Sequence, residues 1–453
     1  MNQVSEPSRL TPVADDVDLC VVGGGCTGVF AAVAAARLGA SVALIENHGF
    51  FGGVATAGLV NIWHTLLDTA FERPIIAGLT VEVIERLKRR QAVWETEPSA
   101  DRNFVLNTPE LALELDRLVR EANVRPFLHA RFVAAAMEGQ RVSAAIIEDK
   151  TGRRAIRARY FIDATGDGDL IARAGLPFTQ RGDLQPPTTC FLLHGLDGIQ
   201  KANPGFSLYH ELFNPRHQKD IPVGFLWSAP VTGLPGAEMI AGTRVPGADC
   251  SDADQLTAAE IEGRRQVGAF LDILRAYPGG EGVALLALPA CIGIRETRHA
   301  SCLHTLTEEE VLTGRRFDDA IANGTYRVDV HHSDRPGLTF RFLDGTEIYA
   351  VPGRPREKGR WRPPLATGED PRFYQIPYRC LVQRGTSNVL VAGRLIDADR
   401  GAYGAIRVMV NCNQTGEAAG TAAALAMHHD LSVADVPAEE LRETMKRQGA
   451  IML

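Results

Sequence analysis

The chain is poor in the features that would place it in several common classes. Its eight cysteines, Cys20, Cys26, Cys190, Cys250, Cys291, Cys302, Cys380 and Cys412, include no pair at the spacing of zinc or redox motifs. They read as buried, reduced thiols, which argues against a thiol–disulfide relay. His331 and His332 have Asp329 and Asp334 close by but match no ligand pattern, so no metal site is expected. Basic residues are not in excess: 48 Lys plus Arg against 55 Asp plus Glu give a formal net charge of -7. General attraction to nucleic acid or to an anionic membrane is therefore not expected. Long apolar runs are missing as well. The most apolar stretch, Val29 to Ile45, is broken by Arg37, Gly39 and Ser41, whereas a spanning helix needs about 20 apolar residues. The first residues have no basic region followed by an apolar one, so residues 1–16 are expected to be a flexible tail and the cytoplasm is the default location. What the chain does have is length and glycine. Its 453 residues, 45% hydrophobic and 23% charged, make room for two or three domains of roughly 100–200 residues. The placement of its 44 glycines then becomes the question.

Val17 to Val22 (VDLCVV) reads as a buried parallel strand. It runs into Gly23-Gly24-Gly25-Cys26-Thr27-Gly28, an Ala-rich helical stretch from Val29 to Leu38, and a second strand, Ser41 to Ile45. This is the setting in which G-x-G-x-x-G signifies dinucleotide binding. Gly23 permits the tight turn, Gly25 lets the backbone approach a pyrophosphate, and Gly28 allows helix and strand to pack closely. Glu46 ends the second strand, where a carboxylate can accept both hydroxyls of an adenosine ribose. A second Gly-rich segment, Asn47 to Gly58, lies on the same side of the sheet and suits a longer cofactor. Strands are also expected at Ala130–Ala135, Val142–Glu148 and Ala155–Ile162. No second unit of this kind follows: Thr232 to Gly236 and Gly279 to Gly282 are turn sequences with the wrong flanks.

Several separated segments resemble one known family. FIDATGDGDLIARAG (Phe161 to Gly175) is similar to the second FAD signature of the glutathione-reductase-like flavoproteins. NVLVAGRLIDADRGAYGAIRVMVNCNQTGEAAGTAAALA (Asn388 to Ala426) resembles the closing segment of bacterial FAD-dependent oxidoreductases, relatives of fumarate reductase flavoproteins. CIGIRETR (Cys291 to Arg298), Thr305 to Tyr326 and YQIPYRCLV (Tyr374 to Val382) match the interior of the same family. The resemblance runs from about Val17 to about Met427 and implies one bound FAD.

The implied architecture is an α/β fold: a Rossmann-like FAD-binding domain with a parallel sheet, formed by 17–175 and 375–427. An α+β substrate lobe (176–374) is inserted between them, and a C-terminal extension covers 428–453. The FAD contacts implied are Gly23, Gly25, Cys26, Thr27 and Gly28 in the first turn, with Glu46, Asn47, Gly52, Gly53 and Thr56 after the second strand. Val133, Ala164, Gly166 and Asp167 follow, and Gly393, Asp397, Gly404, Ala405 and Ile406 close the site. A helix over Arg407–Ala426 is expected to point its N-terminus at the flavin, with Gly401 beside the cofactor and Gly416 and Gly420 serving helix packing.

Candidate catalytic residues are His64, as a base or covalent tether, Arg295, Tyr378 and Arg394, the last two by resemblance. Arg295 and Arg298 share a face if their segment is helical and could hold a carboxylate or fasten the lobes. The basic, proline-rich stretch Pro352–Pro364 could be a lid or an ordinary solvated loop. The expected function is a dehydrogenase or oxidase moving a hydride from a C–H bond next to O or N of a small polar molecule to flavin N5. Diffusible oxygen or a quinone would accept the electrons. Alternatives are a C=C reductase, a flavin monooxygenase, or an FAD-containing subunit of a larger assembly; homo-oligomerisation stays open.

Overall fold

The computed structural model describes residues 4, 5, 8–99, 103–212, 214–222, 224–351, 354–365 and 369–453. Residues 1–3, 6 and 7 of the expected tail and Pro352 and Gly353 of the basic stretch lie outside them.

Aliphatic and β-branched runs build one seven-stranded sheet. Its strands are β1 (Val13–Val22), β2 (Val42–Ile45), β3 (Arg125–Phe127), β4 (Arg131–Glu138), β5 (Arg141–Asp149), β6 (Gly152–Asp163) and β7 (Val389–Val391). They lie in the order β3-β2-β1-β6-β5-β4, with β7 pairing with β6. β1, β2, β3, β6 and β7 are parallel, and β5 and β4 continue antiparallel from the first half of β6. Because β7 pairs with Phe161–Asp163, the near-C-terminal segment completes the sheet begun by β1. β1 starts at Val13, paired with Ala155, so the last part of the expected tail is strand.

Helices α1 (Cys26–Arg37) and α3 (Met409–His429) pack against each other and both against this sheet. Val29, Phe30 and Val33 on α1 are fully buried, each contributing roughly 2 kcal/mol. A Cβ at Gly416 would lie 2.1 Å from the Thr27 carbonyl oxygen, and one at Gly420 would lie 2.0 Å from that of Ala31. The two helices therefore run parallel with their backbones in contact, as the packing reading of these glycines requires. The expected helix from Arg407 is interrupted: α2 (Arg400–Ile406) ends first, and Val408, extended at ψ 148°, precedes α3.

Between β6 and β7 the chain forms two antiparallel four-stranded sheets. One joins Trp227–Pro230, Ala237–Ala241, Phe191–His194 and Ala284–Ala287, and the helix Ala253–Arg275 shares its core. The other joins Val328–His331, Leu338–Arg341, Thr346–Ala350 and Glu357–Arg360. The basic stretch is thus partly an edge strand rather than a loop. The whole is a mixed α/β architecture with a Rossmann-like sheet and an additional lobe. Among the described residues no helix is long and apolar enough to cross a membrane.

Candidate active site

The turn between β1 and α1 is shaped by contacts that leave no room for side chains. Gly23 has φ +102°, and a Cβ there would lie 2.5 Å from the Ala164 carbonyl oxygen. A Cβ at Gly28 would lie 1.8 Å from the Gly23 carbonyl oxygen. Gly25 differs: at φ −60° it begins α1, and a Cβ would meet nothing nearer than Gly53 Cα at 3.8 Å. Open space thus faces the one glycine assigned to approach a ligand. No side chain caps α1, so its first-turn N–H groups and the positive end of its dipole face that space. Gly53 packs across from Gly25, Gly52 takes φ +114°, and Thr56 donates to the Phe51 carbonyl at 2.7 Å. Glu46 accepts from the Gly24 N–H at 2.7 Å and from the His48 N–H and Nδ1 at 2.8 and 2.7 Å. Of the roughly four acceptor positions of a carboxylate, about one remains for a ribose, not two free oxygens. The ladder between β4 and β5 skips Val133, a bulge near the start of β4.

α3 carries the same device. Its N-cap, Val408, offers no side-chain bond, and Val408 and Met409 line a cavity of about 450 Å³. Asn413, in the first turns of α3, is buried with neither side-chain Nδ2 nor Oδ1 hydrogen-bonded to protein. By the register of Gly416 on Thr27, it lies beside the Gly24–Cys26 turn. A buried orphan amide of this kind calls for an outside partner.

The cavity wall mixes aromatic surface with cations. Asp329 is its hub: Tyr326 donates to Oδ2 at 2.9 Å, Arg407 Nη2 lies 3.3 Å from Oδ2, and His331 Nε2 lies 3.4 Å from Oδ1. Burial alone would raise the Asp329 carboxyl, but a hydrogen bond from the His331 ring and the guanidinium groups of Arg407 and Arg327 hold it well below its ordinary value. Burial lowers His331 to about 3 despite Asp329, with Arg295 adding to the effect, so its imidazole is neutral. Arg295 is lowered to about 10 by burial and by Arg407. His64 packs its ring against Tyr326 at 4.4 Å.

A family model described as FAD dependent oxidoreductase matches residues 18–445. The chain belongs to the FAD dependent oxidoreductase family. FAD is its cofactor, and the glycine-lined space at Gly25, the two uncapped helix starts and the orphan amide of Asn413 fit that group. The match passes the segment that carries the resemblance and reaches into the helix Ala438–Arg447. Among solved structures, the oxidoreductase is similar to a geranylgeranyl bacteriochlorophyll reductase-like protein from Thermoplasma acidophilum. They share 13% identity over 96% of this chain and 83% of that one, with a TM-score of 0.46. A flavin-dependent brominase shares 12% over 95% and 83%, at 0.44. A p-nitrophenol 4-monooxygenase from Pseudomonas putida shares 13% over 64% and 71%, at 0.42.

The fold of the oxidoreductase brings His64, Arg295 and Arg394 to the cavity. It does not bring Tyr378, whose buried hydroxyl donates to the Val433 carbonyl at 2.7 Å and anchors the C-terminal segment. Arg394 is committed to Asp167 at 2.5 Å, and Asp167 also accepts from Thr297 at 2.7 Å, so neither is free for other partners in full. Gly166, at φ +77°, makes room for the Arg394 guanidinium. Gly393, at φ +85°, lies against Thr27. Gly401 and Gly404 were expected beside the cofactor but lie in α2. A Cβ at Gly401 would meet Glu308, and one at Gly404 would lie 2.7 Å from the Asp329 carbonyl oxygen. Their role is to let α2 pack against the lobe. Ala405 and Ile406 are buried, and their carbonyls accept from Tyr374 and Cys412. Asp397 accepts from the Cys302 N–H at 2.8 Å, and Asn47 is exposed.

The segment of Arg295 and Arg298 is not helical. Arg295 lines the cavity, while Arg298 donates to the Asp167 carbonyl at 2.9 Å and fastens the lobe. Of the five basic residues in the proline-rich stretch, Arg356 alone lines the cavity. The residues missed are Asn413, Arg244 and the group around Asp329. Of these, only the closeness of Asp329 to His331 stands out in the amino-acid order, and it matches no metal-ligand pattern.

Proposed function

We propose that this oxidoreductase is a dehydrogenase or oxidase that removes a hydride from a C–H bond next to O or N of a small molecule seated in the cavity. Bound FAD supplies the redox chemistry, since its flavin accepts the hydride, and with it both electrons, at N5. The observation that carries the reading is the placement of an imidazole, His331, on the cavity wall with Nε2 3.4 Å from the Asp329 carboxylate. This imidazole can accept the substrate's O–H or N–H proton as the hydride leaves the carbon. Asp329 beside Nε2 orients the ring, and Tyr326 and Arg407 hold Asp329 in turn. His64 shapes the same wall against Tyr326. The uncapped start of α3 favours negative charge in front of it. In this reading the enzyme works in the cytoplasm and a diffusible acceptor, oxygen or a quinone, closes the cycle.

The test is anaerobic mixing of FAD-loaded protein with a panel of alcohols, amines, hydroxy acids and amino acids. Flavin absorbance is expected to be lost with at least one class. His331→Asn should slow that loss about 10²-fold without changing substrate affinity. An oxidised spectrum that survives the whole panel contradicts the proposal. A second reading, reduction of an activated C=C bond, is favoured by the lowered Arg295, whose guanidinium is a better proton donor than usual. Reoxidation of photoreduced protein by enoates, but not by oxygen or quinones, would select it.

A further inference from the structure

Two arginines, Arg244 buried and Arg295 half-buried, stand at one wall of the cavity with no carboxylate bonded to either. Arg244 donates to Thr188 Oγ1 and the Thr243 carbonyl at 2.7 Å each, and to the Phe225 carbonyl at 2.8 Å. Arg295 donates through Nη1 to the Pro186 carbonyl and to Thr188 Oγ1, both at 2.6 Å. Thr188 therefore accepts from both guanidinium groups and passes its own proton to the Thr243 carbonyl at 2.9 Å. Every one of these partners is neutral. A buried guanidinium normally has a carboxylate partner, because neutral acceptors do not compensate its lost hydration. Of the other arginines on the wall, Arg356 is a further exposed cation on the edge-strand side, and three are engaged otherwise. Arg394 pairs with Asp167, Arg407 with Asp329, and Arg327 stacks over Phe340 at 4.1 Å. On Arg295, Nε and Nη2 have no protein acceptor among the described residues. That pair forms the guanidinium edge that meets a carboxylate with two parallel hydrogen bonds. The cavity lining also carries a set of apolar side chains, Ile62, Phe225, Trp227, Leu338, Phe340 and Phe342.

We infer that the cavity takes a carboxylate with an aromatic or branched apolar body, its anion held by the Nε–Nη2 edge of Arg295 and backed by Arg244 through Thr188. This deepens the function proposed above and rests on the cavity being the substrate site. It narrows the donor from small polar molecules in general to apolar acids. The anion would also offset part of the charge that keeps His331 low, since Arg295 is one of its causes.

The test is calorimetric titration of the FAD-loaded protein with benzoate and with its neutral isostere, benzamide. Benzoate should bind at least 10-fold more tightly. Arg295→Gln should weaken benzoate at least 10-fold and leave benzamide unchanged, with Arg295→Lys recovering part of the loss. Equal affinities, stronger binding of benzamide, or no binding of either probe overturns the inference. Should Arg295→Gln not fold, the wild-type ratio of the two affinities still decides. Calorimetry reads binding without turnover. Carboxylate selectivity with no flavin bleaching by any acid would sink the proposed oxidation alone, whereas bleaching by neutral donors without that selectivity would sink the carboxylate site alone.

Discussion

The dinucleotide cleft and the cavity adjoin at Val54, which follows Gly53 and lines the cavity, yet they are made of different material. The cleft is backbone: glycines pressed against carbonyl oxygens, two helix starts without caps, and one carboxylate tied to a glycine N–H. The cavity is side chain. Its arginines, imidazoles and aromatic rings come from several distant segments and are held by one another. Recognition by backbone tolerates almost any change that adds no atoms and almost none that does. Recognition by side chains has the opposite sensitivity, since single polar groups can be exchanged while the fold persists.

The sharpest way to break the contrast is at Gly28. Gly28→Val places a Cβ against the Gly23 carbonyl, 1.8 Å away before any relaxation. A loss of at least about 3 kcal/mol is expected, together with loss of FAD, read by thermal melting and flavin content. Unchanged melting would show that the turn is not as tight as described.

A slightly smaller effect, reached through pH, separates the helix that serves the cleft from the cavity beside it. Glu417 on α3 is buried, and burial raises it from an ordinary 4.5 to about 7 in spite of the Leu79 N–H it accepts. Below about pH 4.5 the group is protonated in both folded and unfolded chains, and its full contribution to stability is present. As pH rises through 7 that contribution is lost, on the order of 3 kcal/mol for a shift of this size. Glu417→Gln should therefore melt like the wild type near pH 4 and higher than it at pH 8. An equal difference at both pH values would contradict this origin.

The same contrast explains what could be read from the amino-acid order. The strand, turn, helix and strand from β1 to β2, ending at Glu46, are contiguous, so their spacing states their geometry. β6 and β7 were legible because each apolar run ends at a glycine-rich turn. At Gly401 and Gly404 the amino-acid order shows only that something approaches an empty Cβ position. Whether a ligand or Glu308 and Asp329 approaches depends on tertiary packing. The break at Arg407 and Val408 left no proline or glycine as a marker. Arg244, Thr188 and Arg295 meet only because two loops of the lobe cross, with Thr188 bridging to Gly293. No local pattern joins them.

The most direct test of this division is Gly25→Ala. At φ −60° a side chain is permitted, and the nearest protein atom to its Cβ is Gly53 Cα at 3.8 Å, so the protein accommodates the added methyl and a bound ligand meets it. The predicted result is an apoprotein that melts as the wild-type apoprotein does but retains less than about a tenth of the FAD, a loss of more than about 1.4 kcal/mol in binding. Wild-type flavin content in a folded Gly25→Ala protein would contradict the assignment of this turn to the cofactor.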